Sequence, residues 1–173
     1  MCSDLLDLGK DIRKLESEGV DYLHVDVMDA HFVPNLTFGT DHIRSMLSFA
    51  KIPLDIHFMV EDPGMFLSRI ELRPGDIFTV HGEVDLDFRG LSDEVHSKGA
   101  LFGIGLNPET PVETVREWLP FTDVVLLMLV HPGFSGSKLL PGILEKVPQT
   151  RKFLDSNGFS NIMIDVDGSV STE

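Results

Sequence analysis

The chain has 173 residues, 42% of them hydrophobic, which is enough for one core and one domain spanning 1–173. It carries 14 Lys plus Arg against 28 Asp plus Glu, and a net charge of -14 argues against nucleic acid or an anionic membrane surface as a partner. A phosphorylated small molecule is compatible with this charge, because helix N-termini and backbone N–H nests bind phosphate without a basic patch.

At the N-terminus, MCSDLLDLGKDIRKLE has neither a charged n-region nor an apolar h-region, and no apolar run reaches the length of a membrane span. The single Cys2 rules out an internal disulfide framework and agrees with a reducing compartment, so the expectation is a cytoplasmic protein. From there β-branched and apolar runs alternate with segments of helical spacing. Strands are predicted over 21–28, 53–60, 76–82, 101–107, 123–130 and 161–168. Helical segments are predicted over 4–19, 62–71, 88–99, 110–119 and 141–158. Repeated strand–helix units point to an α/β fold with a parallel sheet, either a TIM (β/α)8 barrel or a doubly wound sheet. No Gly-rich dinucleotide fingerprint follows the first strand, and polar residues recur on one face of several strands, which favours the barrel. A complete barrel takes roughly 250 residues. The expectation is therefore a barrel lacking its eighth strand–helix unit, with at most a stub of the first strand at Met1–Ser3.

Strand side chains alternate, so DYLHVDVM puts Tyr22, His24, Asp26 and Met28 on one face and Leu23, Val25 and Val27 on the other. In PLDIHFMV, His57 shares its face with Asp55 and Met59; in NIMIDVDG, Asp167 shares its face with Met163 and Asp165. His24, Asp26, His57 and Asp167 form a mixed nitrogen and oxygen set suited to zinc, iron or manganese rather than magnesium or calcium. Each residue singly also reads as a hydrogen-bonded structural histidine or a capping carboxylate. Burying several of them together without pairing or a metal is costly. Met28, Met59 and Met128 lie on or near the same faces, as core filler or as a lining that excludes water. HPGFSGSK, residues 131–138, is a Gly-rich loop before a helical segment, an ordinary turn or a phosphate cradle to which Lys138 could add charge.

HVDVMDAHFVPNLTFG, LDIHFMV, HPGFSGS and IDVDGS together resemble the signature segments of the ribulose-phosphate 3-epimerase family, in order along essentially the whole chain. MCSDLL, LNPETPVE and VDGS are most similar to its D-allulose-6-phosphate 3-epimerase branch. The resemblance implies a TIM barrel of the ribulose-phosphate-binding type that holds one divalent metal ion (Zn, Fe, Mn or Co) through His24, Asp26, His57 and Asp167. It implies an isomerase of phosphorylated ketoses in which Asp26 and Asp167 are the acid–base pair acting through an enediolate. Met28, Met59 and Met128 would lie over the reacting carbons with His57 nearby. Gly133, Phe134, Ser135, Gly136, Gly168 and Ser169 would contact the substrate and its phosphate end. A homo-oligomer is also implied. Three positions depart from the family pattern: Ala30 and Ser169 stand where glycine is usual, and Ser137 stands where glutamine is usual. The family's substrate-binding serine and its eighth-strand phosphate site would fall outside residues 1–173, so a non-catalytic remnant that keeps the metal site is the alternative. A metal-free decarboxylase-type barrel would need Asp-x-Lys-x-x-Asp, and His24-x-Asp26-x-x-Asp29 has no lysine at the centre.

Overall fold

The computed structural model describes residues 3–134 and 136–170, and it forms a six-stranded, all-parallel sheet in simple chain order. The strands are β1 (Leu23–Met28), β2 (Leu54–Met59), β3 (Ile77–His81), β4 (Leu101–Leu106), β5 (Val124–Met128) and β6 (Met163–Asp167). Each lies inside one of the predicted segments. Of the expected stub, Met1 and Cys2 lie outside the described residues, and Ser3 is in a bend rather than a strand.

The helices are α1 (Leu8–Ser17), α2 (Thr40–Phe49), α3 (Pro63–Leu67), α4 (Phe88–Ser97) and α5 (Lys146–Ser156). Asp7, Asp62 and Asp87 start α1, α3 and α4, each accepting a hydrogen bond from the backbone N–H three residues on. Such caps satisfy donors that the first helical turn otherwise leaves orphaned. Helix α2 is absent from the predicted segments. It begins at Gly39 with no side-chain cap, although Ile43, Met46 and Leu47 bury its apolar stripe at helical spacing. The predicted helix over 110–119 is corrected to two 3₁₀ turns, Val112–Glu117 and Leu119–Phe121. Val112 and Val115 are both buried, and a three-residue period stacks positions i and i+3 on one side. Pro120 then removes a backbone donor and stops an α-helix from forming. Among the described residues no helix is long and apolar enough to cross a membrane.

The two faces of the sheet have different chemistry. Outward side chains such as Val25, Val27, Ile56, Phe58, Phe78 and Phe102 join the helices in the main core. Phe58 and Phe78 pack in a tilted pair across β2 and β3 with ring centroids 4.3 Å apart. Each fully buried aromatic contributes roughly 1.5–3 kcal/mol. The inward face carries His24, Asp26, Asp55, His57, Thr79 and His81, and Gly103 makes room for Thr79: a Cβ there would sit 2.2 Å from Thr79 Oγ1. Strands β1 and β6 stand at opposite ends of the order. In a flat sheet they would be about 24 Å apart, at the usual strand spacing. Donor atoms of His24, Asp26 and Asp167 nevertheless lie within 4.8 Å of one another, so the sheet is curled into a half-barrel with these strands facing across its interior.

After β1 the chain turns back through Ala30, whose φ of 63° is left-handed and whose N–H donates to Asn35 O at 2.9 Å. A left-handed conformation costs a residue with a Cβ about 1–2 kcal/mol, partly offset by the greater unfolded-state freedom of glycine. Ala30→Gly is expected to stabilise the fold by about 0.5–1 kcal/mol, raising Tm by ~1–4 °C in a calorimetric scan. A lowered Tm would contradict the left-handed turn.

Candidate metal centre and active site

Period-two alternation and strand register assemble the site. β1 turns His24, Asp26 and Met28 inward, and parallel pairing sets them beside Asp55, His57 and Met59 of β2. On the far side β6 brings Asp165 next to Leu126 and Asp167 next to Met128. The curl then closes the gap. His57 Nδ1 lies 3.3 Å from Asp26 Oδ1 and 3.5 Å from Asp167 Oδ2, while His24 Nε2 lies 3.3 Å from Asp26 Oδ1.

One donor atom from each of His24, Asp26, His57 and Asp167 lies within 4.8 Å of the others, so these four side chains could hold a metal ion. His57 is fully buried, and its Nδ1 makes no hydrogen bond of good geometry. A desolvated ring nitrogen facing two carboxylates is what a cation would satisfy. His24, Asp55 and Asp165 form a second convergent trio beside the first, sharing His24.

Electrostatics follow from this crowding. Burial alone would strip a proton from His24, yet Asp26 and Asp55 outweigh it and raise its pKa well above 6.5. For His57 burial again acts downward, and the carboxylates of Asp167 and Asp26 prevail, so its pKa is raised. Asp26 is held far below the usual carboxylate range because His24 and His57 outweigh its burial, and it stays ionised. Burial and then the Asp55 carboxylate push Asp165 up to about 6.

Behind each imidazole stands a supporting partner. His24 Nδ1 is 2.5 Å from Asp55 Oδ2. His57 Nε2 is 2.8 Å from His81 Nε2, and His81 Nδ1 is 2.9 Å from Glu83 Oε2. Glu83 Oε1 accepts from the Asn107 N–H at 2.8 Å and from the Thr110 hydroxyl. Sequence reasoning passes over His81 and Glu83. The signal available was His81-x-Glu83, which repeats the spacing of His24-x-Asp26 at the end of the next strand but one.

Burial would raise the Glu83 pKa, but hydrogen bonds from His81, Thr110 and Asn107 lower it from 4.5 to about 2. The folded-state value is depressed, so this stabilisation is full above pH 4.5 and is lost as pH falls towards 2. With Glu83 partly screened by solvent, Glu83→Gln is expected to reduce the loss of stability across that window by about 2 kcal/mol. Urea midpoints measured at about pH 5 and about pH 3 test this, and equal losses in variant and parent would contradict it.

A cavity of about 450 Å³ opens above the cluster. Met28, Met59 and Met128 line it and are 3%, 1% and 1% exposed, so they form its apolar floor. Gly133, Phe134 and Gly136 line one side, and Gly168 and Ser169 another. Ser135 lies outside the described residues. His57 sits behind the cavity wall, and Lys138 is not among the residues that line it. Glycine is required at 168, where φ is 108° and a Cβ would lie 2.5 Å from Val130 Cγ2. The HPGFSGSK loop precedes a helical segment as expected, with irregular chain and a 3₁₀ turn at Ile143–Glu145 before α5. The Asn35 side-chain amide donates to Gly133 O at 2.6 Å, and the Ser169 hydroxyl donates to Ser137 O, tying the loop over the cavity.

Residues 1–173 match the family described as the ribulose-phosphate 3 epimerase family. A ribulose-phosphate 3-epimerase of Bacillus subtilis (strain 168) is 35% identical over 173 residues, covering 100% of this chain and 80% of the relative. The enzyme of that name from Treponema pallidum (strain Nichols) is 38% identical over 170 residues, covering 98% and 78%. That from Chlamydia pneumoniae is 36% identical over 174 residues, covering 100% and 76%. With whole-chain similarity of this order and a cluster of two histidines and two aspartates on the concave face of a parallel α/β sheet, the chain belongs to the ribulose-phosphate 3-epimerase family of isomerases.

Proposed function

We propose that the chain is a metal-dependent epimerase that inverts carbon 3 of a phosphorylated ketose by two-base proton transfer. The observation that carries this reading is the approach of Asp26 and Asp167, from opposite edges of the curled sheet, to one imidazole nitrogen at 3.3 and 3.5 Å. Inverting a carbon beside a ketone needs a proton removed from one side and another delivered to the other. A single base tends to return the starting hand. Ionised Asp26 is suited to take the proton, leaving an enediolate; Asp167 delivers one from the opposite side, and the roles exchange in reverse. A divalent ion held by His24, Asp26, His57 and Asp167 would supply Lewis-acid stabilisation of the charge developing on the ketone oxygen. Met28, Met59 and Met128 keep water from the reacting carbons. Gly133, Phe134, Ser135, Gly136, Gly168 and Ser169 hold the phosphorylated end of the substrate.

The curled sheet is read as the wall of a single TIM-barrel domain, acting in the cytoplasm as a homo-oligomer. Two substrate pairs fit the chemistry: D-ribulose 5-phosphate with D-xylulose 5-phosphate, and D-allulose 6-phosphate with D-fructose 6-phosphate. The names of the relatives support the first. MCSDLL, LNPETPVE and VDGS support the second. Turnover of D-ribulose 5-phosphate and D-allulose 6-phosphate by the purified chain, with solvent deuterium appearing at carbon 3, tests the reading. No turnover of either substrate by metal-loaded protein leaves the non-catalytic alternative.

A further inference from the structure

We propose that His81 and Glu83 are positioning residues that lock His57 in the tautomer whose Nδ1 lone pair faces Asp26 and Asp167. This rests on the metal-binding role proposed above for His57. The argument is a proton count along one hydrogen-bonded chain. Glu83 Oε1 faces the Asn107 N–H at 2.8 Å, and a backbone N–H can only donate, so Glu83 acts as an acceptor there. Its other oxygen, ionised, also only accepts, and it lies 2.9 Å from His81 Nδ1, which therefore carries the proton. A neutral His81 then has a bare Nε2, and the nitrogen 2.8 Å from it, His57 Nε2, must donate. In neutral His57 that leaves the lone pair on Nδ1, the buried atom 3.3 and 3.5 Å from the two aspartates.

The surroundings hold the chain in place. His57 and His81 are both fully buried, with ring centroids 5.0 Å apart and planes 27° from parallel. Phe32 packs against His81 with ring centroids 4.6 Å apart. Thr110 donates to the same Glu83 oxygen as Asn107, so the turn after β4 is coupled to ring orientation in β2. Outer partners of this kind, which fix a ligand's tautomer and direction, typically change metal affinity 10–100-fold when removed.

Glu83→Gln is the discriminating substitution because it keeps shape and reverses polarity. The Asn107 N–H forces the amide oxygen to stay on its side, so the NH₂ turns to His81 Nδ1. His81 must then donate through Nε2, and His57 is left with its proton on Nδ1, facing the aspartates. The first readout is ¹⁵N–¹H correlation of the imidazoles in metal-free protein, at a pH high enough to leave His57 neutral, which separates Nδ1 from Nε2 protonation. The parent should show His57 protonated at Nε2, and the variant should show the proton on Nδ1. The second is Co²⁺ titration followed by visible absorption, where the variant should bind roughly 10–100-fold more weakly than the parent. A parent His57 protonated only at Nδ1 overturns the proposal, whether or not the variant folds. So does a Glu83→Gln protein with the parental tautomer and Co²⁺ affinity. Parent protein with the expected tautomer but no Co²⁺ binding overturns the metal-site reading while supporting the tautomer lock.

Discussion

Asp26→Asn and Asp167→Asn are each expected to reduce epimerisation by about 10²–10⁴-fold while the fold survives. The factor is that of one positioned proton-transfer group, roughly 3–5 kcal/mol of transition-state stabilisation. Asparagine is close in shape to aspartate, so the packing around β1 and β6 is retained; the ability to accept a proton is not. The two variants are expected to differ in what survives. With one base removed, the remaining carboxylate still exchanges a proton on its own side, so one substrate epimer should wash in solvent deuterium at carbon 3 without inversion. Asp26→Asn should preserve exchange from one epimer and Asp167→Asn from the other. Near-parental turnover in either variant removes that residue from the acid–base pair. Circular dichroism and Tm exclude loss of fold as the cause.

Removing divalent metal is expected to lower turnover by orders of magnitude, since Lewis-acid stabilisation is worth several kcal/mol at 1.36 kcal/mol per tenfold. Dialysis against a chelator should abolish activity, and Zn²⁺, Mn²⁺, Fe²⁺ or Co²⁺ added back should restore it. The order of restoration identifies the preferred ion. His57→Ala should prevent restoration at ion concentrations that saturate the parent, because it deletes the one donor that is fully buried among the four. Ion binding to the folded state alone also raises Tm, providing a measurement independent of turnover. Full activity in protein shown by elemental analysis to be metal-free would falsify the metal-dependent reading.

Much of the architecture was legible because its causes are local. Parallel strands of such a sheet are short, largely apolar runs, and all six were found from them, with ends at most two residues inside the predicted bounds. Where a local cue was weak, the reading failed. Helix α2 starts at an uncapped glycine, and the 110–119 segment carries helical composition but is tightened by buried Val112 and Val115 and stopped by Pro120.

The candidate site divides along the same line. Period two was sufficient to put His24 with Asp26 and to aim His57 and Asp167 inward. No local rule brings β6 to β1; that meeting comes from sheet curl, a property of six strands packed against their helices. The His57–His81–Glu83 chain was hidden for the same reason, since its bonds run between strands and on to the turn carrying Asn107 and Thr110. The sequence alone determined which residue types face inward, because alternation depends only on backbone geometry. Tertiary structure alone decided which of them touch and which nitrogen of His57 faces the aspartates, because distances across a curled sheet depend on register, twist and packing summed over the whole chain.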